Sequence, residues 1–174
     1  PDWSLAFSYQ GAKVVFADIC EDDFNIDPES VAKKITKRTK AIIPVDLYGQ
    51  IYDVKAIRKL ARRHNLKILE DACQAVGAEW QGKKAGNYGE VAAFSLYATK
   101  NIMSAEGGLI TTDSADLAEK CKMFRHHGQS EKNRYEYLDS GYNYRLTDIC
   151  AAIGLEQLKK ANGFNKKRIK NAKA

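Results

Sequence analysis

The sequence lacks any hydrophobic run long enough to cross a membrane. No stretch of eighteen apolar residues occurs, whereas a membrane-spanning helix needs about 20. The first residues, Pro1-Asp-Trp-Ser-Leu-Ala, have neither the basic region nor the long apolar stretch that is typical of a signal peptide. These absences predict a cytoplasmic chain that has no membrane partner.

Cysteine is scarce and widely spaced. The four cysteines form no Cys-x-x-Cys pair, so the sequence indicates neither a zinc site nor a disulfide framework. We expect reduced thiols that serve mainly as packing groups, and we predict no metal site.

The charge is basic but not patterned for nucleic acid. The chain has 28 Lys and Arg against 22 Asp and Glu, a formal net charge of +6. The basic residues are scattered, apart from short clusters and the tail Asn165–Ala174, and no interleaving with aromatic residues accompanies them. Solvated helix faces are the favoured interpretation, and we predict no nucleic-acid partner. A basic surface would also suit an anionic small substrate.

Apolar runs alternate with amphipathic segments along the first part of the chain. This alternation predicts a mainly parallel sheet of the α/β class, and the length fits one domain or most of one. Strands are predicted at Lys13–Asp18, Lys40–Val45, Leu66–Glu70, Val91–Leu96 and Gly108–Thr112. Helices are predicted at Pro28–Lys37, Val54–Asn65, Ala115–Phe124 and Thr147–Lys160, with a second helix or a frayed tail from Phe164. A small hairpin is predicted at Glu79–Ala85 and a loop at His126–Asn143.

The carboxyl ends of parallel strands meet at one edge of a sheet, and ligands bind there. Asp46, Asp71 and the residues after Phe94 follow predicted strands, so we expect them to share one crevice. In the stretch Ala92–Gly108, an apolar run opens into a hydroxyl and lysine cluster and closes on paired glycines. Lys100 is the centre of this stretch, because a desolvated lysine can act as an amine nucleophile toward a carbonyl. Taken alone, Lys100 is better interpreted as a solvated surface lysine, and its neighbours are what favour the nucleophile.

Several short motifs together resemble one enzyme family. They are Gly11-Ala-Lys-Val-Val-Phe, Thr39-Lys-Ala-Ile-Ile-Pro-Val, Leu47-Tyr-Gly-Gln, Glu70-Asp-Ala-Cys-Gln-Ala-Val-Gly-Ala, Phe94-Ser-Leu-Tyr-Ala-Thr-Lys-Asn, Glu106-Gly-Gly and Gly141-Tyr-Asn-Tyr-Arg-Leu-Thr-Asp. In this order and at this spacing, the chain resembles the large domain of DegT/StrS-type sugar aminotransferases, which are fold type I pyridoxal-phosphate enzymes.

The resemblance implies a role for each of five residues. Lys100 would bond to the aldehyde of pyridoxal 5'-phosphate and carry protons during transfer, and Asp71 would pair with the protonated ring nitrogen. Gln74 would lie beside the ring oxygen, and Ser95 would donate its hydroxyl to the phosphate. Asn143 would reach the phosphate of the neighbouring subunit in a homodimer. Without the family, Asp71 could be a helix cap, Gln74 a surface residue, Ser95 a strand serine and Asn143 a loop residue.

The resemblance also implies an architecture and a reaction. We expect a three-layer α/β sandwich in which residues 1–174 form a partial cofactor-binding large domain, incomplete at both ends and without the C-terminal small domain. The implied activity is amino transfer from a donor such as glutamate to a nucleotide-linked keto-sugar, for amino-sugar and cell-surface polysaccharide biosynthesis. The alternative is a non-catalytic fragment that holds no cofactor. A sugar dehydratase of the same family is disfavoured, because such relatives carry histidine at the position of Lys100.

Overall fold

A four-stranded sheet forms the centre of the fold in a computed structural model, which describes residues 3–133 and 135–174. The strands lie in the order β1-β2-β5-β6, and β3 and β4 form a separate two-stranded hairpin. The strands are β1 (Ala41–Ile42), β2 (Lys67–Asp71), β3 (Glu79–Trp80), β4 (Lys83–Lys84), β5 (Val91–Ser95) and β6 (Gly108–Thr111). The helices are α1 (Trp3–Tyr9), α2 (Pro28–Lys34), α3 (Val54–His64), α4 (Ala115–Arg125) and α5 (Asp148–Ala172).

The sheet is parallel except at one edge. β1 pairs with β2, and β2 with β5, in parallel register, whereas β6 runs antiparallel to β5. The prediction of a mainly parallel α/β fold is therefore confirmed, as is the hairpin of β3 and β4. No helix in the described ranges is both long and apolar enough to cross a membrane.

Helix α3 covers part of the sheet because its apolar residues recur on one face. Val54, Ile57 and Ala61 are all buried, and the Asp53 side chain accepts a hydrogen bond from the Ala56 amide at the helix start. Asn65 ends the helix in the left-handed conformation. The main core cluster lies between α2, α3 and the strands, and consists of Val31, Ile42, Tyr52, Val54, Ile57, Ala61, Leu66, Ile68 and Tyr88.

The C-terminal part is a single helix. α5 is 25 residues long and is capped at its start by the Thr147 side chain, so the prediction of separate helices before and after Phe164 is wrong. Ala161 packs with Leu96 and Ile102, and Phe164 is partly buried against the same cluster. The contacts of Ala161 and Phe164 thus stabilise the helix where a break after about residue 160 was expected.

The predicted strand Lys13–Asp18 is also wrong. This segment has no strand assignment, and an isolated bridge between Ile19 and Ile26 follows it. Val15 and Phe16 are exposed. A strand needs a partner for its backbone groups, and none of the described strands lies beside this segment, so a favourable local composition is insufficient.

Candidate active site

Two predicted site residues lie at the carboxyl ends of neighbouring strands. Asp71 is the last residue of β2 and Ser95 the last of β5. Asp71 pairs in register with Ala93, so Ser95 lies two residues further along β5 at the same edge of the sheet. The Asp71 Oδ1 atom accepts a hydrogen bond from the Cys73 amide, at 3.0 Å, which fixes the carboxylate at the turn after β2. The Ser95 Oγ atom accepts from the Tyr97 amide at 3.3 Å, so the hydroxyl proton can be donated elsewhere.

Lys100 lies on a loop that is held by hydrogen bonds and by buried side chains. Its amide donates to the Tyr97 carbonyl at 2.9 Å, while the loop residues Ile102 and Ser104 are buried. The Ser104 amide donates to the Leu96 carbonyl and its hydroxyl to the Glu106 carbonyl, both at 2.8 Å. The lysine therefore projects from a loop with a fixed base.

An open cavity of about 360 Å³ lies beside this loop. Its volume falls within the range of small-molecule sites. Six residues line it: Tyr48, Gln74, Thr99, Lys100, Asn101 and Arg168. The Tyr48 amide donates to the Gln74 Oε1 atom at 3.0 Å, which orients the Gln74 side chain. The two predicted residues Gln74 and Lys100 thus face one cavity.

The charges of Asp71 and Lys100 both affect the pKa of the Cys73 thiol, so the two residues lie near the same group. Burial, followed by a hydrogen bond and the charge of Asp71, raises the pKa of the Cys73 thiol to about 12. The positive charge of Lys100 acts in the opposite direction on the same pKa. Cys73 therefore remains a neutral thiol, and both Asp71 and Lys100 are close enough to influence it.

A pair of buried carboxyl groups lies behind Asp71. Asp46 and Glu70 are 0% and 2% exposed, so the expectation that Asp46 lies in the open crevice is wrong. The Glu70 carboxylate accepts the backbone N–H groups of Gly86, Tyr88 and Gly89. These three hydrogen bonds hold the buried Glu70 side chain in place.

Asp46 has the opposite environment. Its Oδ1 atom accepts one amide N–H, from Tyr52 at 3.2 Å, and its Oδ2 atom has no partner in the described structure. Burial and the neighbouring carboxyl group of Glu70 raise the pKa of Asp46 to about 8. At neutral pH, Asp46 is therefore mostly a protonated acid beside Glu70. The Asp46 amide also donates to the Asp71 carbonyl at 2.9 Å, so the pair supports the backbone of Asp71.

We expect the change Asp46→Asn to remove a pH dependence from the stability. Asp46 binds a proton in the folded state up to a pKa of about 8, whereas an unfolded aspartate loses it at about 4. The free energy of unfolding should therefore fall as the pH rises from about 4 to about 8 and level off above that range. An asparagine amide can still accept from the Tyr52 amide, and it does not titrate. Urea unfolding at intervals from pH 5 to 9 should show a shallower decline for the variant, and parallel curves would contradict this assignment.

The predicted loop before α5 is confirmed, and it is held tightly. Residues 126–143 close through antiparallel bridges between His126 and Asn143 and between Gln129 and Tyr137. Gly128 has φ +73°, and a Cβ atom there would lie 1.7 Å from the Asp139 carbonyl oxygen, so only glycine fits. The backbone of Asn143 is fixed by this pairing, and its exposed side chain is not among the described residues that line the Lys100 cavity.

Comparison with known proteins decides the family. The model of the DegT/DnrJ/EryC1/StrS aminotransferase family matches residues 4–174. The chain belongs to this family. The GDP-perosamine synthase of Caulobacter vibrioides is a relative in the DegT/DnrJ/EryC1/StrS family that is 48% identical over 155 residues, which cover 89% of this chain and 42% of that protein.

Solved structures agree with the fold. Helicobacter pylori PseC, an aminotransferase involved in the biosynthesis of pseudoaminic acid, superposes with a TM-score of 0.86 at 41% identity, covering 91% of this chain and 43% of PseC. NtdA from Bacillus subtilis with bound cofactor PMP superposes with a TM-score of 0.83 at 35% identity, covering 91% of this chain and 36% of NtdA. The chain thus has the fold of this family of fold type I enzymes, and it spans less than half the length of the relatives it matches.

The residues at this site fit the donor set that pyridoxal phosphate needs. The half-buried carboxylate of Asp71 suits a protonated ring nitrogen, and the Ser95 hydroxyl proton is available for a phosphate oxygen. Gln74 and Lys100 supply an amide and an amine to the same cavity. The structure therefore brings Gln74 and Lys100 together, places Asp71 and Ser95 at the adjoining strand ends, and leaves Asn143 outside the cavity.

Sequence reasoning missed two features of the site. Arg168 lines the cavity with Lys100, although its sequence context is a basic tail that suggests a solvated helix face. The pairing of Asp46 with Glu70 was also missed. A carboxylate at the end of each of two adjacent strands was the available signal for this pair.

Proposed function

We propose that the protein containing this chain is a pyridoxal-phosphate-dependent aminotransferase. It transfers an amino group from an amino-acid donor, such as glutamate, to a nucleotide-linked keto-sugar. The observation that carries this proposal is the cavity shared by Lys100 and Gln74 beside the carboxylate of Asp71. The names of relatives support the substrate class: GDP-perosamine synthase in Caulobacter vibrioides and a UDP-4-amino-4,6-dideoxy-N-acetyl-beta-L-altrosamine transaminase in Helicobacter pylori.

Each proposed role follows from the chemistry of a side chain. Bound pyridoxal phosphate supplies an aldehyde that captures amines and a ring that accepts electrons from the donor carbon. The Asp71 carboxylate would keep the ring nitrogen protonated, Gln74 would donate to the ring oxygen, and Ser95 would hold a phosphate oxygen. Lys100 would hold the cofactor through its Nζ atom and, once free, would serve as the base that moves a proton.

The proposal extends to the assembly and its setting. We propose a cytoplasmic homodimer that acts in amino-sugar and cell-surface polysaccharide biosynthesis, with the small domain supplied by sequence outside residues 1–174. The exposed Asn143 side chain, on a loop with fixed geometry, supports a contact with the cofactor phosphate of a second subunit. The alternative is that this chain alone is a non-catalytic fragment that holds no cofactor.

Reductive trapping tests the proposal. The intact protein is incubated with pyridoxal phosphate and reduced with borohydride, and its peptides are analysed by mass spectrometry. We expect a phosphopyridoxyl group on Lys100, because its amine faces the cavity beside Asp71. The variant Lys84→Ala is the matched control, since Lys84 is an exposed lysine paired with Glu79 at 2.6 Å and should leave the adduct unchanged.

Adducts spread over surface lysines, without enrichment at Lys100, would contradict the proposal. The same experiment on residues 1–174 alone separates the two alternatives for this chain. An adduct on the intact protein but not on the isolated chain would identify the chain as a segment that needs further sequence to hold the cofactor.

A further inference from the structure

Two positively charged side chains line the cavity beside Lys100. Lys100 comes from the loop after β5, and Arg168 comes from the last turns of α5. No aspartate or glutamate is among the described residues that line it. A cavity with two cations and no carboxylate favours an anionic ligand.

Helix α5 holds Arg168 at the cavity. The Asn165 Nδ2 atom donates to the Val76 carbonyl at 2.8 Å, which fixes α5 to the turn that follows Gln74. Arg168 lies one turn further along, and its Cζ atom lies 6.0 Å from the centre of the Phe164 ring. This cation–π contact restricts the long side chain, so less conformational entropy is lost when a ligand binds.

The guanidinium group of Arg168 has no acidic partner among the described residues. No carboxylate within the described ranges forms an ion pair with it. On the same helix, by contrast, Lys159 pairs with Glu156. Arginine has a planar set of donors that matches a carboxylate in a bidentate arrangement. The donors of Arg168 are therefore available to a ligand.

We infer that Arg168 binds the carboxylate of the amino-acid donor and thereby helps to select amino acids over simple amines. The inference rests on the proposed aminotransferase function. In an α-amino acid, the carboxylate and the amine share one carbon, so a carboxylate-binding group must lie in the same cavity as Lys100. The diphosphate of a nucleotide-sugar is separated from the reacting keto carbon by part of the sugar ring, and it would lie further away.

Gln74 completes this subsite. Its Oε1 atom accepts from the Tyr48 amide, so its Nε2 group has two N–H bonds to donate, one to the ring oxygen and one to the donor carboxylate. An arginine and an amide that line the same cavity can share the two oxygens of one carboxylate. The hydrogen bond from Asn165 to the Val76 carbonyl fixes the position of Arg168 relative to Gln74.

The test compares Arg168→Gln, Arg168→Lys and wild type in the intact, cofactor-loaded protein. We expect Arg168→Gln to raise the KM for glutamate about tenfold or more, because hydrogen bonds to a charged group are lost. The KM for the sugar should change by less than about twofold, and Arg168→Lys should fall between, since lysine keeps the charge but not the bidentate geometry. Calorimetric titration with glutarate, which has carboxylates but no amine, gives a readout independent of turnover and should show the same order.

Lys167→Gln is the matched control, because it removes one positive charge from the neighbouring exposed position, which does not line the cavity. It should leave both KM values and glutarate binding unchanged. Equal effects of Lys167→Gln and Arg168→Gln would overturn the inference in favour of a general field effect. Weaker binding of GDP or UDP in Arg168→Gln, with unchanged glutarate binding, would overturn it in favour of the nucleotide.

Reductive trapping separates this inference from the proposed function. Arg168→Gln should still form the phosphopyridoxyl adduct on Lys100 at the wild-type level. If the adduct forms and the kinetics of glutamate do not change, the role of Arg168 is wrong while the aminotransferase function stands. If wild type forms no adduct, the proposed function itself fails.

Discussion

Replacing Lys100 with alanine is expected to lower the rate of amino transfer by the intact protein about 10³-fold or more. Under the proposed function, the change would remove the amine that binds the cofactor aldehyde and the group that moves the proton between the two carbons. Lys100→Arg should be similarly inactive, because a guanidinium group stays protonated at all accessible pH values. The measurement is steady-state amino transfer from glutamate to a nucleotide-linked keto-sugar.

Two controls make the result of Lys100→Ala specific. Added methylamine should restore part of the activity, because a small free amine can carry the proton that Lys100 would carry. Lys84→Ala should keep full activity, since Lys84 lies on the separate hairpin of β3 and β4. If Lys100→Ala kept more than a tenth of the wild-type rate, another residue would have to perform both steps.

Replacing Glu70 with alanine is expected to destabilise the fold by about 3 kcal/mol or more, because each buried N–H group left without an acceptor costs about 1–3 kcal/mol. The carboxylate accepts N–H groups from Gly86, Tyr88 and Gly89, and at 2% exposure little water can replace it. Denaturant unfolding at pH 7 measures the change.

The matched control for Glu70→Ala is Glu79→Ala. Glu79 also accepts a charged hydrogen bond, from Lys84, but the two side chains are 48% and 58% exposed. An exposed ion pair contributes less than about 1 kcal/mol, so Glu79→Ala should shift the denaturant midpoint only slightly. Similar losses for both variants would show that the buried N–H donors of Glu70 find other acceptors.

Much of the sheet could be predicted because each buried strand carries its own local signals. Leu66–Glu70 and Val91–Leu96 are apolar runs bounded by turn residues, and both became neighbouring parallel strands. Lys13–Asp18 has a similar composition but no strand beside it. Pairing depends on residues distant in sequence, which local composition does not encode.

The candidate site was predictable only in part, because some of its residues are brought together by contacts between segments that are distant in sequence. Asp71 and Ser95 end predicted strands, so the rule that ligands bind at the carboxyl ends of strands locates them. Arg168 reaches the cavity only because α5 continues past Phe164 and is tied to Val76 through Asn165. Asp46 also ends a predicted strand, but the partner that buries it, Glu70, could be identified only from the packed structure.

The close approach of Gly128 and Gly141 in the loop of residues 126–143 has a further consequence for assembly. A Cβ atom at Gly141 would lie 2.0 Å from the Gly128 nitrogen, so the two arms of the loop touch through bare backbone. Such a loop loses its conformational freedom when the chain folds rather than when two subunits meet. In the proposed homodimer, Asn143 would therefore already be in its final position before the subunits meet. Association would then cost little additional conformational entropy in this loop.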